Sequence, residues 1–141
     1  MKRHKAPTIL LCALLMAWGP FATAADADAV SGLWRIEQAR SEPMLDKRKA
    51  RIDFGPGGQL TGHTSCNTLS ARYTLEGNAL KLGPVVTTRL ACAPLQLEQE
   101  DRILTALELA VSARVRDDGL LELRDADGRG LLRATRFETP Q

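Results

Sequence analysis

The chain has 141 residues, room for one domain of ordinary size, and its 44% hydrophobic and 26% charged content lie near the average for globular proteins. That balance excludes wholesale disorder, collagen and coiled coil. The formal net charge of +2 comes from the first five residues, so it says nothing of the domain that follows.

Met1-Lys2-Arg3-His4-Lys5 is a positive cluster, the stretch from Ala6 to Phe21 is apolar, and Ala22-Thr23-Ala24 places small residues where a signal peptidase cuts. Together they predict a secretory signal peptide over residues 1–24 and a periplasmic protein starting at Ala25. A stable membrane anchor is disfavoured, because the apolar run is shorter than the roughly 20 residues a bilayer requires and Gly19-Pro20 interrupts it. Cys12 follows Leu11 and not the small residue of a lipoprotein cleavage site, so it leaves with the leader. The leader also removes three basic side chains, which leaves 16 basic against the 17 acidic residues of the whole chain. A surface so nearly neutral offers no footprint for nucleic acid or for an anionic membrane.

Residues 25–30, alternating Ala and Asp, are expected to be a flexible tail, and residues 137–141 a second one at the C-terminus. The folded domain is expected over 31–136. Ser31 to Gln38, with Leu33, Trp34 and Ile36, reads as a first strand. Glu42 to Arg48 contains Pro43 and opens the charge run Asp46-Lys47-Arg48-Lys49, which predicts a solvated loop. Ala50 to Phe54 and Gln59 to Gly62 flank Gly55-Pro56-Gly57-Gly58 as a hairpin, and Leu69 to Leu75 and Ala79 to Gly83 flank Gly77-Asn78 as another.

Pro94 to Ala110 lacks glycine and spaces Leu97, Leu104, Leu107 and Val111, with Ile103 beside them, as one face of a helix. Leu97, Leu104 and Leu107 are therefore expected in the core together with Trp34. Three further strands follow, Ala113 to Arg116, Leu120 to Arg124 and Gly130 to Arg136, separated by turns at Asp117-Asp118-Gly119 and Asp125-Ala126-Asp127-Gly128. The result is an α+β domain: a strongly curved antiparallel sheet of seven or eight strands wrapped around one amphipathic helix.

Two cysteines remain after the leader, Cys66 and Cys92, an even number in an exported chain. A disulfide fits the oxidising compartment. Free thiols and a metal site built from His63, Cys66 and Cys92 are the competing readings, the latter without a fourth ligand nearby. A Cys66–His63 thiolate pair is conceivable only if Cys66 is not bonded. Gly55 to Gly58 lacks the Lys-Ser/Thr and helix of a phosphate loop, and Asp125 to Gly128 lacks the third oxygen ligand and distal Glu of a calcium loop. No catalytic constellation stands out, so the chain is expected not to be an enzyme and to use no cofactor or metal.

Trp34 in the first strand, Phe54, Gly58, Leu60 and Gly62, then Cys66-Asn67, Thr88-Arg89 followed by Cys92, and Glu100 with Leu107 in the helix resemble the pattern of the META domain, the HslJ-like family. The chain differs from that pattern in carrying Ser65 where a glycine precedes the first cysteine, and Thr68-Leu69-Ser70-Ala71 where Arg-Phe-Ser-Gly is usual. The resemblance implies a curved sheet around one helix, an envelope location, links to stress tolerance and no catalytic residues. The expected partner is an unidentified protein or apolar ligand, with the chain itself monomeric. The alternatives are a lipid or small-ligand carrier and a thiol-active or metal-binding protein.

Overall fold

The computed structural model describes residues 25–138. The expected leader, 1–24, and the last residues of the expected C-terminal tail, 139–141, lie outside them. In chain order the elements are α1 (Ala25–Val30), β1 (Gly32–Ala39), β2 (Glu42–Pro43), β3 (Arg51–Gly55), β4 (Gln59–His63), β5 (Thr68–Glu76), β6 (Ala79–Leu82), β7 (Val86–Thr87), α2 (Pro94–Leu109), β8 (Ser112–Val115), β9 (Leu121–Arg124) and β10 (Gly130–Arg136).

The strands run β10-β9-β8-β6-β5-β4-β3-β1, all antiparallel, and β1 pairs back onto β10. The expected curved sheet is therefore closed, an eight-stranded barrel with β2 attached to β1 and β7 to β5. Closure removes the free edges that an open sheet of this length would expose. A register shift between Ile36 and Gln38 adds bend to β1 where it passes from β3 to β10. One join is thin: β6 meets β8 through the single pair Ala79↔Ser112, whereas β4 and β5 share five. The short strands β2 and β7 fall in stretches where the sequence pattern showed no strand.

Alternation sends Ile52 and Phe54 of β3, Leu60 of β4, Leu69 and Ala71 of β5, and Leu121 and Leu123 of β9 into one core, which also takes Trp34 and Ile36. Phe54 meets Tyr73 edge to face, with ring centroids 5.1 Å apart. The first hairpin turns through Gly57 and Gly58, both at positive φ, and a Cβ at Gly58 would lie 2.6 Å from the Tyr73 carbonyl. That approach accounts for the glycine.

Residues 25–30 are not the expected tail. They form α1, whose last residue, Val30, is buried in the core. The Trp34 indole N–H donates to the Val30 carbonyl at 2.8 Å, and the Arg136 guanidinium donates to the carbonyls of Ala29 and Ser31 while lying over the Trp34 ring. Val30 at the end of the Ala/Asp run and these hydrogen bonds together dock it.

The predicted helix is present as α2, which packs against β1, β9 and β10. Leu107 is buried as expected, with Ile103 beside it, but Gln99 and Ala106 complete the buried face in place of Leu97 and Val111. Leu97 is 43% exposed and Val111 46%, while Leu104 is partly buried against the core. At about 100° per residue, Leu97 and Leu104 stack along the flank of the stripe centred near Ile103, and Val111 lies beyond the end of α2. The heptad spacing was genuine and marked the flank of the helix.

Candidate functional site

The link between β4 and β5 is the four-residue bend Thr64-Ser65-Cys66-Asn67, and its geometry follows from local side-chain bonds. The Thr64 hydroxyl accepts the backbone N–H groups of Cys66 and Asn67 at 3.2 and 2.9 Å, a Thr-centred turn. Ser65 stands at φ 80, a left-handed conformation that favours glycine. Its hydroxyl donates to the Asp46 carbonyl at 2.7 Å.

Three distant segments converge on this bend. From α2, Glu100 accepts the Thr64 hydroxyl at 2.6 Å and the Asn67 side-chain amide at 3.0 and 3.1 Å. From the loop after β7, the Thr88 hydroxyl and the Leu90 N–H donate to Asn67 Oδ1 at 2.9 and 2.7 Å. The Leu90 N–H is a fixed donor, so it sets which end of the Asn67 amide is oxygen. Gln99, fully buried, accepts from the N–H groups of Leu45 and Asp46 and donates to the carbonyls of Asp46 and Thr64. A buried side-chain amide with every polar atom bonded rigidifies the segments it joins.

The fourth tie is covalent. Cys66 and Cys92 form a disulfide with Cα atoms 6.0 Å apart, inside the usual range for such bonds. Both sulfurs are spent in that bond, which closes the thiolate and metal readings built on them. His63 sits just before the bend and accepts the Ser65 N–H on Nδ1 at 2.9 Å. Burial, followed by the charges of Arg51 and Lys49, holds its imidazole below the ordinary 6.5. With Nδ1 accepting, the neutral ring carries its proton on Nε2.

The Asp125 turn is likewise self-contained. Its carboxylate takes the N–H groups of Asp127 and Arg129 and the Arg129 guanidinium.

The candidate residues thus divide by position. Cys66, Asn67, Thr88, Cys92 and Glu100 meet in one polar knot. Trp34, Phe54, Leu60 and Leu107 are core, Gly58 sits at the first hairpin turn, and Gly62 sits where a Cβ would strike the Arg51 carbonyl at 2.5 Å. Arg89 is exposed, one residue from the knot. Gln99 was missed as a site residue, because a glutamine inside an acidic run carries no sequence signal of burial. Thr64 carries no signal in the sequence pattern, and Ser65 stands out only as the residue where a glycine is usual.

The knot fixes a surface. Between β7 and the first turns of α2 the chain exposes Val86, Leu90, Leu95 and Leu97, the first three each more than 60% accessible. Beside them, Leu82, Pro84, Val85, Leu104 and Leu107 line an open cleft of about 490 Å³ between α2 and the strand edge that leaves the thin β6–β8 join. Among the described residues, no helix is long and apolar enough to cross a membrane.

The META domain family model matches residues 27–138. No curated protein matches the chain. Among solved structures, an NMR structure of a protein from Burkholderia xenovorans aligns with a TM-score of 0.60 at 21% identity, covering 99% of this chain and all of that one. A second NMR structure aligns with a TM-score of 0.57 at 25% identity, covering 77% of this chain and 92% of that one. The first likeness is one of fold.

Proposed function

The chain belongs to the META domain family, and from that premise we propose that it acts in the periplasm as a non-enzymatic binding protein of the HslJ-like kind, serving envelope stress tolerance. Its barrel curves around the apolar face of α2 to keep a rigid support, and the surface from Val86 to Leu97 meets a protein partner. The observation that carries this reading is the placement of Val86, Leu90, Leu95 and Leu97 in water on a segment pinned by the Cys66–Cys92 bond and by Asn67. Large apolar side chains gathered on a rigid support are a common mark of an interaction surface. The disulfide and the export leader read from the sequence agree on an oxidising compartment. A second reading, carriage of a lipid or small apolar ligand, draws on the cleft beside Leu104 and Leu107.

Native mass spectrometry of protein taken from the periplasm without reductant tests both readings. The expected mass is that of an oxidised chain starting at Ala25, with a protein partner that disappears in Leu90→Asp and Leu95→Asp. A partner retained by both variants overturns the assigned surface, and a lipid adduct in place of the partner selects the carrier. Two free thiols per chain overturn the structural disulfide on which both readings stand.

A further inference from the structure

We propose that the outer face of β8, β9 and β10 holds a phosphate-binding site formed by Arg114, Arg124 and Arg133 around the buried carboxylate of Glu122. Strand register builds the cluster. Arg114 pairs with Glu122, Glu122 pairs with Arg133, and Arg124, two residues beyond Glu122, points from the same face. Gly130, opposite Arg124, leaves room for the carboxylate: a Cβ there would lie 3.2 Å from Glu122 Oε1.

The charges do not balance. Glu122 is 3% exposed, and its Oε2 takes Arg124 at 2.7 Å and Arg114 at 3.2 Å, while its Oε1 faces Arg133 at 3.6 Å. Three guanidiniums share one carboxylate, an excess of two positive charges that Asp117 at the rim reduces to one across the depression. Each guanidinium carries five N–H donors, far more than one carboxylate can accept. Arg114 Nε is enclosed and finds no acceptor among the described residues.

Three other arginines of the barrel are engaged. Arg129 is held by Asp125 and Asp127, Arg35 by Glu37, and Arg136 by backbone carbonyls and the Trp34 ring. Beside the trio, Arg116 is neutralised by Asp118 at 2.9 Å, and Asp117 is the opposing charge at the rim.

The cluster opens on a depression of about 490 Å³. A phosphate group suits it: its negative charge meets the positive excess, and its oxygens match the planar fork of arginine in pairs. A soluble phosphate compound or a phosphomonoester lipid headgroup would supply the same chemistry.

The experiment titrates inorganic pyrophosphate into 15N-labelled oxidised protein at low ionic strength and follows the backbone amide and arginine Nε–Hε signals. Saturable shifts are expected at Arg114, Arg124 and Arg133. Arg114→Gln and Arg133→Gln are expected to weaken binding at least tenfold, with Arg133→Lys between them and the native chain because it keeps the charge and loses the fork. Arg129→Gln should bind as the native chain does. The substituted side chains at 114 and 133 are partly exposed, and dispersed amide spectra of the variants check that they fold.

A parallel arm sediments the protein with phosphatidylcholine vesicles with or without phosphatidic acid. Capture dependent on phosphatidic acid and lost in Arg114→Gln supports the site with a lipid source, and response to pyrophosphate alone supports it with a soluble source. No saturable response in either arm overturns the proposal. So does equal weakening by Arg129→Gln, or binding of a polyglutamate peptide with no response to phosphate.

Discussion

Asn67 and Glu100 face each other between the β4–β5 bend and α2, with the Asn67 amide nitrogen 3.0 and 3.1 Å from the two carboxylate oxygens. The pair fixes the helix against the barrel because the other end of the same amide holds Thr88 and Leu90. Asn67→Asp keeps the shape and the acceptor but sets a second carboxylate against the first. The expected loss is about 2–4 kcal/mol at pH 7, since truncating or inverting a buried hydrogen-bonded partner to a charge costs this much. The loss should shrink at pH 4, because the introduced carboxyl takes up a proton more readily when folded than when unfolded. Urea unfolding at the two pH values checks both sign and size; a loss independent of pH would mean that the carboxylates move apart.

Ser65 at φ 80 combines a strained backbone with a useful hydroxyl bond to Asp46. Ser65→Ala removes the bond and keeps the strain, so about 1 kcal/mol of stability should go. Ser65→Gly relieves the strain but frees the unfolded chain and loses the bond. Each contribution is about 1 kcal/mol, one gained and two lost, so the glycine variant should be about 1 kcal/mol less stable than the native chain, level with the alanine variant, and should rise above it if relief of the left-handed φ is worth more. The ranking of the two variants by urea midpoint tests whether φ or the hydroxyl governs this bend.

Ile103 is fully buried at the centre of the helix face and Leu97 is 43% exposed on its flank. Ile103→Ala should cost about 2–5 kcal/mol and Leu97→Ala less than about 0.5 kcal/mol. Equal costs in urea unfolding would place the packing face where the heptad spacing put it.

That contrast shows what was legible in the sequence. The hairpins around Gly55 to Gly58 and Gly77-Asn78 were readable because glycine turns and period-two alternation are local properties. The Cys66–Cys92 bond was readable as one of three options for the two cysteines, favoured by their even count and the expected leader. Barrel closure was not readable, because the pairing of β1 with β10 joins residues about 100 positions apart and depends on accumulated twist. The helix face was placed correctly at Ile103 and Leu107 but not at Leu97, because a buried glutamine, Gln99, fills the core position one turn before Ile103 and a hydrophobic template passes over it. Its burial depends on four loop groups from residues 45, 46 and 64 that only the folded chain brings near. The Arg114–Glu122–Arg133 row was invisible for a similar reason: each residue alternates properly on its own strand, and the charge excess exists only across the register.

Glu122 ties acid stability to that row. Burial alone would raise its pKa, but bonds from the Arg124 and Arg114 guanidiniums outweigh burial and hold the carboxyl below its ordinary 4.5. A carboxyl depressed on folding stabilises the fold fully above its unfolded value. The contribution disappears as pH falls from about 4.5 through the lower folded value, because the unfolded chain then binds the proton first. Glu122→Gln should therefore cost about 1–3 kcal/mol at pH 7, a range set by loss of a buried partner and reduced by the partial exposure of the three arginines. The two stability curves should converge below pH 4.5, the native chain losing the stability that the variant never had. Urea unfolding at half-unit steps from pH 3 to pH 7 measures the gap. A gap that stayed constant across that range would show that Glu122 acts through shape alone, and would separate the acid response of this protein from its arginine row.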